Sequence, residues 1–123
     1  MAAPLRPLSR AEYRAQVARD MSEAALQTRV LGLARELGWE LGYHTHDSRR
    51  SQPGFPDLVL LSTARRRLVM AELKTERGRV SPAQQSWLVG LAAAGIERHV
   101  WRPADLLDGT ILAVLTREEV TTT

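Results

Sequence analysis

The stretch from Gly54 to Lys74 constrains this chain most. Gly-Phe-Pro-Asp-Leu-Val-Leu-Leu fills positions 54–61, a polar and basic break fills 62–66, and Arg-Leu-Val-Met-Ala-Glu-Leu-Lys fills 67–74. Two short Leu- and Val-rich runs about a polar break predict a β-hairpin with buried strands. Pro56 has no N–H to give a ladder, so it fits just ahead of the first strand. If Ser62 and Arg67 close a four-residue loop, Asp57 falls opposite Glu72, with Cβ atoms about 4.5–5.5 Å apart. Two carboxylates that close, at the end of an apolar hairpin, repel unless one is protonated or a cation lies between them. Lys74, two residues past Glu72, projects from the same face. The expected site is two carboxylates and an ammonium converging on one point, with room for a divalent metal. All of it depends on register, because a one-residue slip turns Asp57 to the other face.

Composition narrows the classes. At 123 residues, 44% apolar and 25% charged, the chain is sized for one domain with a modest core. No apolar run reaches the roughly 20 residues that span a bilayer. The first ten residues lack a secretory apolar region. Cysteine is absent, which excludes disulfides and Cys-rich zinc sites. The default expectation is a soluble cytoplasmic protein without a membrane partner. The net charge of +3 does not by itself indicate nucleic acid. Lys74 is the only lysine among the 17 basic residues. GC-rich coding gives such an arginine bias, so most arginines need no functional reading, whereas a lone lysine beside Glu72 stands out.

Residues 1–20 read as an N-terminal arm in which Ser9-Arg10-Ala11-Glu12 has capping-box form and starts a short helix to about Ala18. A second such pattern at Asp20 to Glu23, with Ser22 a rival cap, opens a helix to about Leu37. Leu26, Val30, Leu33 and Leu37 form its apolar stripe. Glu23 falls on that stripe's buried face in the first turn, where helix capping alone accounts for it, though the helix also lets it point at the sheet's edge. From Trp39 to about His46, Trp39, Leu41 and Tyr43 alternate with Glu40, Gly42 and His44, predicting a half-buried strand. His44-Thr45-His46-Asp47 faintly resembles a hydrolase zinc motif, but the Asp comes one residue early, so these read as strand-end polar residues near the substrate. The loop with Ser48, Arg49 and Arg50, and the turn with Arg77 and Arg79, are either phosphate-contacting or plainly solvated. Ser81-Pro82-Ala83-Gln84 places an N-cap, Pro at N1 and Gln at N3, opening a helix with Trp87, Leu88, Leu91 and Ala94 as its apolar face. A strand at 97–101, helical turns at 103–107 and from Thr110 to about Arg117, and a frayed tail at 119–123 complete the chain. The order α-β-β-β-α-β predicts an α/β fold, a mixed sheet of about four strands flanked by helices.

Together, Ser22-Glu23, Gly54-Phe55-Pro56-Asp57-Leu58, Glu72-Leu73-Lys74, and Ser81-Pro82-Ala83-Gln84 with Trp87 and Gly95 resemble the VRR-NUC branch of the PD-(D/E)xK nuclease superfamily. The resemblance runs from about Ser22 to Pro103. Each piece is weak alone, since Glu-x-Lys is common as a surface ion pair, but the ordered set is specific. It implies a restriction-endonuclease-like sheet and a nuclease domain over 21–118. It also implies hydrolysis of DNA phosphodiesters with one or two Mg²⁺ or Mn²⁺ ions. By position, Asp57, Glu72 and the Leu73 carbonyl ligate metal, and Lys74 handles the attacking water. Glu23 supports the metal directly or through water, and Gln84 positions Lys74 or the phosphate. His46, Ser48, Arg49, Arg50, Arg77 and Arg79 are the expected DNA contacts. The small size resembles stand-alone bacterial and phage members, which implies a homodimer acting on branched, Holliday-junction-like DNA in replication, recombination or repair. The alternatives are a non-catalytic nucleic-acid-binding module on the same fold, and a structural domain in which Glu72 and Lys74 form a plain ion pair.

Overall fold

Serine caps set where the helices begin. In the structure, a computed structural model describing residues 6–45 and 52–118, the Ser9, Ser22 and Ser81 hydroxyls accept the N–H groups of Glu12, Ala25 and Gln84. They open α1 (Arg10–Asp20), α2 (Glu23–Glu36) and α3 (Pro82–Ala93). Each satisfies a donor that the first helical turn leaves over. The strands are β1 (Leu41–His44), β2 (Leu58–Ser62), β3 (Arg67–Leu73) and β4 (Glu97–Trp101), and α4 (Pro103–Leu107) and α5 (Thr110–Thr116) close the chain. Among the described residues no helix is long and apolar enough to cross a membrane.

The sheet runs β1-β2-β3-β4, antiparallel for the first two pairings and parallel for the last. It is the four-stranded mixed α/β sheet expected of a restriction-endonuclease-like fold, with α3 as the crossover that parallel β3 and β4 require. The hairpin register is the one expected from loop length, with Ser62 opposite Arg67 and Leu58 opposite Ala71. Leu58, Leu60, Val69, Ala71 and Leu73 face the core with Trp101, and α2 and α5 cover them with Leu26, Val30, Ala34, Ile111 and Leu115.

Three expectations change. On α2, the third fully buried residue is Ala34, while Leu33 and Leu37 are only half-buried at the core's margin. On β1 the face is inverted: Leu41 and Tyr43 are 62% and 55% exposed, and Gly42 turns inward against Leu31 and Leu60. Alternation fixes which residues share a face but not which face meets the core. Trp39 is buried, but it precedes the strand and is held by its indole N–H to the Leu115 carbonyl at 3.0 Å. On α3 no residue is fully buried: Trp87, Leu88 and Leu91 are half-buried, and Ala94 is an exposed C-cap. The sheet's outer face therefore keeps an open apolar row, Leu41 and Leu68 flanking half-buried Leu61.

Candidate active site

Asp57 stands one residue before β2, so the hairpin register carries it opposite Glu72 on the outer face of the sheet. Its Oδ2 accepts the Leu73 N–H at 2.8 Å, which locks the carboxylate to β3. The corner before it is fastened twice by β1's end: the Thr45 N–H donates to the Asp57 carbonyl at 3.0 Å, and the Thr45 hydroxyl to the Pro56 carbonyl at 3.2 Å. Gly54 fastens it from the other side. With φ at +82° and a hypothetical Cβ only 2.3 Å from the Ala83 carbonyl carbon, this position admits glycine alone. The Trp87 indole donates to the Pro53 carbonyl at 3.2 Å, and its ring meets Phe55 edge-on at 5.2 Å. The corner and the start of α3 are thus one packed unit.

Glu72 is 2% exposed, although it carries a carboxyl group. It is held by the Gln84 amide, whose Nε2 donates to Oε1 at 2.9 Å. The Gln84 Oε1 accepts the Ser81 N–H at 2.8 Å, so one side chain completes the capping box of α3 and holds Glu72. Burial, then hydrogen bonding to Asp57 and its charge, raise the Glu72 carboxyl to about 9, and Glu23 adds a smaller push. Lys74 acts in the opposite sense, through its charge alone.

The structure therefore brings together Asp57, Glu72, Leu73, Lys74 and Gln84. Glu23 is in the first turn of α2 but is exposed, because its position on the stripe lies beyond the covered core. It reaches the site only as a charge. Arg77 and Arg79 are exposed on the turn after Lys74. His46, Ser48, Arg49 and Arg50 lie outside the described residues. His44 pairs with Leu58, on the sheet face away from Asp57. Thr45 is a support of the corner that the sequence does not announce, whereas Gly54 belongs to the corner motif itself.

The donor chemistry suits a hard divalent cation: two carboxylates and a peptide carbonyl, with no sulfur. Among the described residues no three acidic, imidazole or thiol side chains gather into a group that could hold a metal ion; Asp57 and Glu72 are a pair. A buried carboxyl facing a second carboxylate, with an amide as partner, is the arrangement a bound cation relieves.

The family model described as VRR-NUC domain matches residues 9–104, more than three quarters of the chain. No curated protein and no solved structure matches it.

Proposed function

The chain belongs to the VRR-NUC domain family, which gives it a nuclease-type function, and from that premise we propose a divalent-metal-dependent DNA endonuclease acting on branched DNA. The observation that carries the reading is Glu72, buried against the Asp57 carboxylate with the Gln84 amide as its hydrogen-bond partner. In this reading Asp57, Glu72 and the Leu73 carbonyl hold Mg²⁺ or Mn²⁺, with water completing the shell. A divalent ion, when bound, supplies a more acidic water and neutralises charge on the phosphoryl group.

The chain's own residues do the rest. Lys74, beside Glu72 on the same face, orients the attacking water or accepts its proton. Gln84 holds Glu72 in place. Glu23 contributes from the rim through a bridging water. Arg77 and Arg79 contact phosphates, with His46, Ser48, Arg49 and Arg50 assigned to the same surface. We take residues 21–118 as the nuclease unit, 1–20 as an arm carrying α1, and 119–123 as a tail. The open apolar row at Leu41 and Leu68 supports association with a second copy. A two-fold homodimer would match the two cleavage points of a four-way junction. The setting we propose is a bacterial cytoplasm, with the chain encoded by the cell or by a phage.

The test is cleavage of junction, flap, nicked and linear DNA with Mg²⁺ or Mn²⁺, by the wild type beside Asp57→Ala and Lys74→Ala. Loss of cleavage in both variants is expected. Equal activity in all three would sink the assignment, and binding without cleavage of any substrate would favour a non-catalytic binding module.

A further inference from the structure

A lysine stem has four rotatable bonds, so sharing a face with Glu72 does not by itself place the Lys74 ammonium. Something must confine it. Arg102, which no motif of the site includes, supplies the means. It follows Trp101 at the end of β4, and its backbone N–H is held by Asp105 Oδ2 at 2.8 Å. Its Nη1 donates to the carbonyls of Thr75 at 2.6 Å and Gly78 at 2.8 Å, with that of Glu76 at the margin, 3.4 Å away. One guanidinium nitrogen thus gathers the carbonyls of a single turn, itself closed by the Gly78 N–H on the Thr75 carbonyl at 3.2 Å. The turn is fastened again where Glu76 Oε1 accepts the Ala104 N–H at 2.7 Å.

This turn touches Lys74. A Cβ placed on Gly78 would lie 3.4 Å from Lys74 Cδ, so the glycine's surface forms a wall for the lysine stem. The Lys74 backbone is fixed beside Arg102, its N–H donating to the Trp101 carbonyl at 3.0 Å.

We infer that Arg102 is a positioning residue for Lys74: by gathering the Thr75–Gly78 carbonyls it freezes the turn that confines the lysine stem beside Asp57 and Glu72. The inference rests on the reading of Lys74 as the lysine that handles water. Its test does not, because Lys74 is the chain's only lysine and can be isotopically labelled alone.

Carbon-13 lysine incorporated into the wild type should give one set of side-chain signals. Their methylene proton pairs should be inequivalent and shifted from free lysine. In Arg102→Gln they should collapse toward free-lysine values, and Arg102→Lys should restore part of the difference. In cleavage assays Arg102→Gln should lower kcat about tenfold, with KM for DNA changed less than about threefold. Added to Lys74→Ala it should cost less than about twofold more, because the two changes act through one group. Unchanged lysine signals in folded Arg102→Gln, or full additivity with Lys74→Ala, would overturn the inference. If Arg102→Gln does not fold, Gly78→Ala perturbs the same turn with Arg102 in place, its methyl crowding Thr75 Oγ1 at 3.0 Å and meeting Lys74 Cδ at 3.4 Å. It must displace the same signals, and their constancy would overturn the inference equally. Should the wild type cleave no DNA, the catalytic reading fails while the lysine spectra still decide the positioning.

Discussion

At the turn end of the β2–β3 hairpin, Arg67 is buried beside a carboxylate of opposite charge; at the open end, Glu72 is buried against a second carboxylate. The Arg67 side chain is 5% exposed. Its Nη2 and Nε reach Glu97 at 2.7 and 3.2 Å, and its Nη1 donates to the carbonyls of Val114 and Arg117, each at 2.7 Å. The guanidinium also lies over Trp39, 5.2 Å from the ring centroid. Burial alone would raise the Glu97 carboxyl, but hydrogen bonds from Arg67 and His99, with the charges of Arg67 and Arg117, hold it below the usual range. At the open end, burial and Asp57 push Glu72 far the other way. The same hairpin thus answers two buried charges differently. One is neutralised within the protein, which fixes α5 and β4 to the sheet. The other faces a second carboxylate and an amide.

The largest expected effect falls on the open end. Asp57→Asn should lower metal-dependent cleavage by about a thousandfold, roughly 4 kcal/mol of barrier, while the melting temperature stays level or rises, because a repelling charge beside Glu72 is gone. A fall in stability comparable to the turn-end variant would erase the contrast. Arg67→Ala comes next. Leaving Glu97 without its main partner should destabilise the fold by about 3 kcal/mol, read by thermal or urea unfolding, with the kcat of the folded fraction changed less than about twofold.

A pH series sharpens the comparison, since the two ends titrate with opposite sign. Glu72 has a raised folded value, so its contribution in chelator is full below about pH 4.5 and is lost as pH rises toward about 9. Glu97 has a lowered folded value, so its contribution is present above about 4.5 and lost as pH falls through the folded value. Between pH 6 and 8.5 the metal-free protein should lose up to about 3 kcal/mol, and Mn²⁺ or Mg²⁺ should raise the melting temperature more at pH 8.5 than at pH 6. A metal effect equal at both values would place the ion elsewhere. The smallest effect belongs to Glu23→Gln, an exposed carboxylate acting at a distance. Cleavage should fall no more than about threefold, and a hundredfold loss would make Glu23 a direct ligand.

Much of the open end was legible in the sequence because its determinants are local. Loop length and two apolar runs set the register, and Ser81 with Gln84 announced the start of α3. The turn end was not legible. Arg67 is the third of three consecutive arginines in an arginine-rich chain, and its partner Glu97 lies thirty residues away. Which face of β1 meets the core was equally hidden: Trp39 is decided by the Leu115 carbonyl, 76 residues on. Glu23 shows the limit of periodicity, which gave its direction around the helix but not where the core stops.

α3 has a consequence for motion. No residue of it is fully buried, yet its first turn holds Glu72 through Gln84 and is wedged against Gly54. A helix so lightly anchored opens locally at a free energy below that of global unfolding. When its first turn opens, the site loses Gln84 and its hold on the corner, while β2 and β3 remain paired. Competence to act therefore has a stability of its own, set by a weakly docked crossover, and amide exchange in the first turn of α3 reports it separately from the sheet.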